Sequence, residues 1–324
     1  MEMKQKLIQW YLINQRSLPF RDSRNPYHIW ISEIMAQQTQ IDTMIPYYLR
    51  WIEQFPTIQS VALAQEGEIL KAWEGLGYYR RARFIHAAAK KLVNEFSSIF
   101  PENYDDIRSL PGIGDYTSGA IISIAFNKPV LAIDGNVIRV VTRLFGIEDD
   151  PSKKSTIDSI KEKISPFLDN ENNYILTQAW MELGALVCTP KNPKCLDCPL
   201  NKECFAYANN MQSSFPKTSK KSKVKDEFYD VFINTFGNNI LMSLDDSDGL
   251  MTGMYRLPQI KQQIREIAPD YTVKHVFSHK VWNLNIYLNQ IDLVREDWIS
   301  LEIDELKKVP IITAHKKIIS KLLK

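Results

Sequence analysis

The stretch LPGIGDYTSGAIISIAF, residues 110–126, combines a tight turn with an apolar helix. Gly112 and Gly114 follow a proline and stand one residue apart. Glycine adopts backbone angles that are closed to other residues and lets a ligand approach the main chain closely. The helix predicted to begin near Asp115 offers unpaired N–H groups and the positive end of its dipole. The stretch therefore predicts a backbone site for an anion such as phosphate, with an ordinary connection between packed helices as the alternative.

This hairpin lies in a region whose sequence pattern predicts a series of helices. Apolar residues recur at helical spacing through the first two-thirds of the sequence, and short turns with proline or glycine separate the segments. From about residue 209 the pattern changes to a polar, lysine-rich stretch and then to strand-like segments such as FYDVFINTF. We therefore expect a mainly α domain over residues 1–208 with the hairpin at about 106–126, a linker over 209–225 and an α+β domain over 226–324.

Composition indicates a globular protein but identifies no partner. Of 324 residues, 44% are hydrophobic and 24% are charged, so two domains with ordinary cores are expected. A net charge of +2 is too small to indicate nucleic-acid binding by itself. The N-terminal MEMKQKLIQWYL has no apolar run of signal length, and no membrane span is predicted. We expect a cytoplasmic protein whose cysteines stay reduced.

All four cysteines lie in one loop, CTPKNPKCLDCPLNKEC, with the spacing C-x6-C-x2-C-x5-C. They are Cys188, Cys195, Cys198 and Cys204. Four thiols in a single loop indicate a metal site rather than scattered core cysteines. Thiolates suit both tetrahedral zinc and iron–sulfur clusters, so the residues alone leave the metal open. Zinc sites usually show two C-x-x-C pairs, whereas this loop has one.

The cysteine spacing resembles the iron–sulfur loop of helix-hairpin-helix DNA glycosylases. The resemblance implies that residues 188–204 hold one 4Fe-4S cluster, with a structural role in a loop that faces DNA. It also implies that Gly112 and Gly114 cradle a DNA phosphate without reading the base sequence. The nearby lysines Lys191 and Lys194 fit either phosphate contacts or a solvated surface.

Cleavage of a glycosidic bond requires one group that protonates the leaving group and another that offsets positive charge on the sugar. Glu33, in ISEIMAQQTQ, is a candidate for the acid. On a helix its neighbours are Ile29, Trp30 and Ala36, with Gln37 as the polar exception. A carboxyl on such a face is expected to have a raised pKa, unless the side chain turns to solvent.

Asp134, in LAIDGNVIRVV, is the candidate for the second role. It stands where an apolar run meets a helix start, which is also the place of an ordinary N-cap. That position favours the ionised form of a carboxyl. We therefore expect the environments of Glu33 and Asp134 to move their pKa values in opposite directions.

Segments distributed along the chain resemble motifs of the adenine DNA glycosylase (MutY) family. They are ISEIMAQQTQIDTMIPYY, WEGLGYYRRAR, LPGIGDYTSGAI, IDGNVIRV and MELGALVC. The family removes adenine mispaired with 8-oxoguanine or guanine in base excision repair. The resemblance implies that Glu33 is the general acid and base, that Asp134 stabilises the sugar cation or covalent intermediate, and that Asn136 helps to position this centre.

The same resemblance implies the contacts to the substrate. Glu182, in MELGAL, would contact the adenine, and Arg16 and Arg21, in NQRSLPFR, match positions near the adenine pocket. Gln38 and Tyr78 would probe the opened base stack, as base flipping requires.

Two positions refine the comparison with this family. The family usually has tryptophan where this chain has Phe20, and because phenylalanine keeps a stacking face we expect altered packing rather than lost function. Bifunctional relatives carry a lysine at the place of Tyr116, and its amine attacks the sugar to give a Schiff base. Tyrosine cannot do this. The resemblance therefore implies a monofunctional glycosylase that leaves an abasic site, with Tyr116 in the catalytic site.

The second domain resembles the MutT-like C-terminal domain of the same family. VFSHKVW contains Phe277, Ser278 and His279, which match the FSH motif that senses 8-oxoguanine, although Phe277 also suits a strand core. The segment IKQQIREIAP has only Glu266 where a MutT-type hydrolase needs a run of glutamates for magnesium. The domain is therefore expected to recognise 8-oxoguanine and not to hydrolyse a substrate.

Three alternatives remain open. An endonuclease III-like glycosylase for oxidised pyrimidines shares the hairpin and the cysteine loop, but Tyr116 and the extra domain speak against it. A non-catalytic DNA-binding iron–sulfur protein conflicts with Glu33 and Asp134 at motif positions. A zinc-stapled structural domain is separable by metal analysis. The expected partner is duplex DNA with the adenine mispair, bound by a monomer that is associated with the nucleoid in a bacterium; no membrane partner is expected.

Overall fold

The structure is a computed structural model that divides into two compact units. The first comprises Met1–Ala62 and Ala87–Lys220, and the second comprises Leu63–His86 and Lys221–Lys324. The residues that the structure describes are 2–21, 23–169, 171–217, 225–244, 251–262, 267–277 and 280–322. The division is not sequential along the chain, because segment 63–86 groups with the C-terminal unit.

The chain up to residue 208 is helical, as the periodicity predicts. Its helices are α1 (Glu2–Asn14), α2 (Pro26–Ala36), α3 (Ile41–Gln54), α4 (Ile58–Leu63), α5 (Glu66–Ala72), α6 (Arg80–Phe96), α7 (Tyr104–Arg108), α8 (Asp115–Phe126), α9 (Gly135–Phe145), α10 (Lys154–Ile164), α11 (Asn173–Leu186) and α12 (Phe205–Ala208). In the part of the chain that the structure describes, no helix has the length and apolar character needed to cross a membrane.

Helix α8 is the central helix of the first unit. Residues 117–124 are all buried, and α2 and α11 pack against α8. A helix that is apolar on every side belongs in a core, where burial of its side chains supplies the main stabilisation. Helix α11 also packs against α1 and α9, with Trp180 and Leu183 fully buried. These contacts hold α2, α8, α9 and α11 together around one site.

The second unit contains a mixed sheet with the strand order β4-β5-β1-β2-β6, and β3 also pairs with β1. Strands β1 and β5 are parallel, and the other named pairs are antiparallel. The elements are β1 (Lys225–Phe236), β2 (Asn239–Met242), β3 (Gln259–Lys261), β4 (Tyr271–Val276), β5 (Lys280–Gln290), β6 (Ile299–Glu302), α13 (Ile303–Leu306) and α14 (Thr313–Leu322). The predicted change from a helical part to an α+β part is confirmed.

Segment 63–86 is tied to the C-terminal part of its unit by a nearly buried carboxylate. The Glu74 side chain accepts hydrogen bonds from Lys71 Nζ at 2.9 Å and Lys316 Nζ at 2.6 Å. It also accepts one from the Ile311 N–H at 3.1 Å. A buried charge requires such partners, so Glu74 fixes the loop before α14 to the end of α5.

Candidate active site

The turn between α7 and α8 has the backbone that its glycines predict. Gly112 has a φ of 74°, in the left-handed region that favours glycine. Gly114 is extended and forms the N-cap of α8. A Cβ added to Gly114 would meet no atom within 4 Å, so this side of the turn is open. The open main chain at the start of α8 fits the predicted approach of a phosphate, which stays a prediction.

Helix α2 carries Glu33, and its start is anchored by local hydrogen bonds. Pro26 is the first helical residue, and the Asn25 side chain caps the helix by accepting from the Tyr27 N–H at 2.9 Å. The Tyr27 hydroxyl donates to the Phe55 carbonyl at 2.5 Å. These local contacts determine where the helix that carries Glu33 begins.

Glu33 is hydrogen bonded to Tyr116, in the first turn of α8. The Tyr116 hydroxyl donates to Glu33 Oε2. The pKa of Glu33 is raised to about 7, chiefly by burial; the hydrogen bond from Tyr116 lowers it and the nearby Asp134 raises it. This direction agrees with the expectation from the apolar neighbours of Glu33. A carboxyl with a pKa near neutrality is suited to general acid catalysis.

Asp134 is the N-cap of α9, as its position in the sequence predicts. Its side chain accepts from the Val137 N–H and from Asn136 Nδ2, each at 2.7 Å. Burial raises the pKa of Asp134, and these hydrogen bonds only partly offset it. The expectation that Asp134 and Glu33 shift in opposite directions is therefore wrong, because desolvation outweighs the helix N-terminus at Asp134.

Arg139, which the sequence analysis did not single out, orients the amide of Asn136. Arg139 Nη2 donates to Asn136 Oδ1 at 2.8 Å and to the Gly184 carbonyl at 2.7 Å. Its Nε donates to the Cys188 carbonyl at 2.7 Å. With its oxygen held by Arg139, the Asn136 amide must point its nitrogen at Asp134. The sequence could have indicated Arg139 through its position three residues after Asn136, because this spacing places both side chains on one face of α9.

Glu182 on α11 is a fully buried carboxylate held by two arginines. Arg16 donates from Nε to Oε1 at 2.8 Å and from Nη2 to Oε2 at 2.9 Å, and its backbone N–H donates to Oε1 at 2.9 Å. Arg21 Nη2 donates to Oε2 at 2.6 Å. Burial alone would raise the pKa of Glu182, but the hydrogen bonds from Arg16 and then Arg21 lower it to about 2. Glu182 is therefore an ionised acceptor that fixes both guanidinium groups.

These side chains surround one cleft of about 1030 Å³. A mixed apolar and polar lining of this kind is typical of a small-molecule or base pocket. Its lining includes most of the predicted catalytic and adenine-contacting residues: Arg16, Phe20, Arg21, Glu33, Gln38, Tyr116, Asp134, Asn136 and Glu182. Phe20 packs its ring edge against Tyr48, with the ring centres 5.6 Å apart.

Gln38 and Tyr78 each have a left-handed backbone, which is uncommon for residues other than glycine. Gln38 follows α2 in the first unit, with a φ of 57°, and is exposed at the cleft. Tyr78 belongs to the second unit, has a φ of 48° and is 42% exposed. Such conformations are enriched at functional sites. No signal in the sequence predicts these backbone angles.

The four cysteines form no disulfide and lie in one loop that Arg143 supports. Arg143 Nη1 donates to Cys188 Sγ at 3.4 Å and to the Thr189 carbonyl at 2.7 Å, and the Arg143 carbonyl lies 3.5 Å from Cys204 Sγ. Gln212 Nε2 lies 3.9 Å from Cys195 Sγ. Within the described ranges, no three His, Cys, Asp or Glu side chains converge on a point where they could share one metal ion. A 4Fe-4S cluster does not require such convergence, because each of its irons is bound by one cysteine.

In the second unit, only part of the predicted sensing motif lies among the described residues. Phe277 follows β4, and its ring lies 4.6 Å from that of His275 and 4.9 Å from that of Trp282, both edge to face. Ser278 and His279 lie outside the described residues, as does Glu266.

Comparison with solved structures identifies the helical architecture. A thermostable thymine-DNA glycosylase is 25% identical, with a TM-score of 0.58, and the match covers 64% of this chain and 95% of that one. A trapped endonuclease III–DNA covalent intermediate is 23% identical, with a TM-score of 0.54, and the match covers 65% of this chain and 100% of that one. At this identity the second likeness supports the fold alone.

Sequence comparison identifies the family. The model of the HhH-GPD superfamily base excision DNA repair proteins matches residues 31–166. The adenine DNA glycosylase of Buchnera aphidicola subsp. Baizongia pistaciae is 35% identical over 302 residues, which are 90% of this chain and 85% of the relative. The adenine DNA glycosylase of Homo sapiens is 40% identical over 209 residues, 62% of this chain and 38% of the relative. The chain therefore belongs to the adenine DNA glycosylase family.

Proposed function

We propose that this chain is a monofunctional glycosylase that hydrolyses the N-glycosidic bond of adenine mispaired with 8-oxoguanine or guanine in duplex DNA. The observation that carries the proposal is the hydrogen bond from Tyr116 to Glu33 in the cleft that also contains Asp134. The cleft therefore contains a proton donor, Glu33, and an anion, Asp134, beside the proposed position of the sugar. None of the described residues that line it is a lysine.

Glu33 is the proposed acid. With a pKa of about 7, a substantial fraction of Glu33 is protonated near neutral pH. Its proton passes to a ring nitrogen of the flipped adenine, and the electrons of the breaking glycosidic bond pass to the base. The resulting carboxylate then accepts a proton from the water that adds to the sugar. One residue can thus serve as acid and then as base.

Asp134 and Asn136 are proposed to stabilise the positive sugar that the first step produces. An approaching cation favours the ionised form of a carboxyl whose pKa burial has raised. The Asn136 amide, held by Arg139, donates to Asp134 Oδ2 and so helps to fix the orientation of that carboxylate. These contacts support the proposal that Asp134 stabilises the sugar and that Asn136 orients Asp134.

Tyr116 supports hydrolysis without strand cleavage. A lyase step requires an amine that forms a Schiff base with the sugar. Among the described residues that line the cleft there is no lysine, and the residue that meets Glu33 at the start of α8 is a tyrosine. The product is therefore an abasic site in an intact strand.

DNA contacts are proposed for both units. In the first unit, the open main chain at Gly112 and Gly114 would bind a phosphate, Gln38 would enter the base stack, and Glu182 with its arginines would meet the adenine edge. In the second unit, exposed Tyr78 would contact the stack. We further propose that the second unit is a MutT-like domain in which the end of β4, at Phe277, senses 8-oxoguanine opposite the adenine.

We also propose that Cys188, Cys195, Cys198 and Cys204 bind one 4Fe-4S cluster. Three of them, Cys188, Cys198 and Cys204, pack against the same apolar core, and the Arg143 guanidinium donates to Cys188 Sγ. The buried positive charge of Arg143 suits a set of four thiolates, which is net negative when it holds a cluster. When bound, the cluster would cross-link the loop and take no part in bond cleavage.

A glycosylase assay on duplexes with adenine opposite 8-oxoguanine, with and without alkali, tests the function. We expect adenine release, with strand breaks only after alkali treatment. Strand cleavage without alkali would contradict the monofunctional assignment. A parallel duplex that carries an oxidised pyrimidine tests the alternatives. Release of that base without release of adenine would support the endonuclease III-like alternative, and binding of both duplexes without release would support the non-catalytic one.

A further inference from the structure

Glu227, near the start of β1, is the centre of a hydrogen-bonded cluster in the second unit. Its Oε2 atom accepts from Trp282 Nε1 at 2.8 Å and from the Tyr229 hydroxyl at 3.3 Å, and lies 3.2 Å from Lys280 Nζ. Trp282 is fully buried, and the Lys280 side chain is 11% exposed. One partly buried carboxylate oxygen therefore satisfies the indole N–H and balances the lysine charge.

The cluster continues directly to Phe277. The Trp282 ring lies edge to face with that of Phe277, with 4.9 Å between the ring centres. The His275 ring also lies edge to face with that of Phe277, with 4.6 Å between the ring centres. In addition, the Phe277 N–H donates to the Lys280 carbonyl at 2.8 Å. Trp282 and Lys280, both held by Glu227, thus contact the ring and the main chain of Phe277.

Strand register explains why these side chains meet. Glu227 is paired with Trp282 across β1 and β5, and Trp282 is paired with His275 across β5 and β4. Side chains of paired residues point to the same face of a sheet. Along one strand, residues two positions apart, such as His275 and Phe277, also share a face. Glu227, Trp282 and His275 therefore form one row across three strands, with Phe277 beside it.

We propose that Glu227 is a positioning residue for recognition of the base opposite the adenine. It acts through Trp282 and Lys280, which hold Phe277 in one orientation at the end of β4. The proposal rests on the proposed role of Phe277 in sensing 8-oxoguanine. Because the cluster lies in the second unit, Glu227 affects the choice of opposite base and not the bond cleavage at Glu33.

Comparison of the excision of adenine opposite 8-oxoguanine and opposite guanine under single turnover tests the proposal. Glu227→Ala should slow excision opposite 8-oxoguanine about fivefold, the scale of one lost hydrogen bond of ordinary strength, and leave excision opposite guanine unchanged. Glu227→Gln keeps an acceptor for Trp282 and should restore most of the difference. An equal loss on both duplexes would indicate a general structural defect and would overturn the proposal.

Two further variants separate positioning from folding. Trp282→Phe keeps most of the ring packing but removes the N–H that Glu227 accepts, and it should reproduce the loss of preference. Asp226→Ala, which removes a carboxylate that accepts from Asn283 at 3.0 Å, is the matched control and should keep the full preference. If Glu227 acts through Phe277, the effects of Glu227→Ala and Phe277→Ala on the preference should not add. Additive effects would contradict the coupling.

The same measurements separate the role of Glu227 from the proposed sensing of 8-oxoguanine by the second unit. A wild-type enzyme with no preference for 8-oxoguanine would overturn the proposed role of the second unit. A wild-type preference that Glu227→Ala and Trp282→Phe both leave intact would overturn only the role of Glu227.

Discussion

The Tyr116 hydroxyl donates a hydrogen bond to Glu33 Oε2, which joins the first turn of α8 to the middle of α2. Burial of Glu33 favours the protonated carboxyl, whereas this hydrogen bond favours the carboxylate, and the pKa of about 7 reflects the balance. The hairpin therefore affects the protonation of Glu33 through Tyr116, in addition to its proposed binding of DNA through the two glycines.

Glu33→Gln should abolish adenine excision while duplex binding survives. The amide keeps the size and a hydrogen-bond acceptor for Tyr116 but cannot supply a proton, and general acid catalysis contributes about 10²–10⁴-fold to a rate. Single-turnover excision and binding of the same duplex, measured in parallel, check this expectation. Excision at the wild-type rate would contradict the assignment of Glu33 as the acid.

The pH dependence of excision should follow Glu33. If Glu33 acts as the proposed acid, its protonated form is the active one, and the single-turnover rate should fall as pH rises through about 7. Tyr116→Phe removes the hydrogen bond that lowers the pKa of Glu33, so its pKa should rise and the falling limb should move to higher pH. Tyr104→Phe, on α7, is the matched control. A limb that stays in place or moves to lower pH in Tyr116→Phe would disprove this coupling.

Local patterns in the sequence were sufficient to predict the hairpin and the candidate acid. The left-handed Gly112 follows from its turn, and the raised pKa of Glu33 follows from the apolar neighbours on its helix. The N-cap position of Asp134 also follows from the sequence, but the direction of its pKa shift does not. That direction depends on how deeply packing of other helices buries the carboxyl, which no local pattern reports.

Features that depend on distant residues were not predictable. Arg139 is recognised as an orienting residue only when the Gly184 and Cys188 carbonyls, both from α11 and its end, are in place beside it. Likewise, segment 63–86 reads as one more helical stretch, and tertiary contacts such as those of Glu74 with Lys316 and Ile311 group it with the second unit.

Glu182→Gln should remove an acid-sensitive part of the folding stability. The pKa of Glu182 is about 2 in the folded chain and 4.5 in its ordinary range, so its stabilisation is present above pH 4.5 and is lost as pH falls toward 2. A shift of this size corresponds to ~3 kcal/mol at neutral pH. Urea unfolding between pH 3 and pH 7 measures the difference, with Glu162→Gln on α10 as an exposed control. An unchanged slope of stability against pH would contradict the ion-pair account.

Purified protein should contain iron and inorganic sulfide at about four of each per chain, as a 4Fe-4S cluster requires. Cys198→Ser should lower the iron content and make residues 188–204 more sensitive to protease, because the loop loses a cross-link. The serine keeps the size of the side chain, and Ser213→Ala nearby in the chain is a control for surface changes. A zinc-loaded protein without iron that excises adenine normally would contradict the cluster.

Gly184→Ala should damage the active site without preventing folding. Helix α11 approaches α9 so closely that a Cβ on Gly184 would lie 2.6 Å from Asn136 Cβ and 3.0 Å from its carbonyl oxygen. Asn136 must then move from Asp134 and Arg139, and overpacking of this kind costs about 1–3 kcal/mol. Gly67→Ala, where an added Cβ would meet nothing within 4 Å, is the matched control and should be neutral or slightly stabilising. Thermal melts and single-turnover excision should be measured on both variants. We expect the excision rate of Gly184→Ala to be at least tenfold lower, on a chain that still unfolds cooperatively. A wild-type rate and melting temperature in Gly184→Ala would show that the contact between α11 and α9 does not position Asn136.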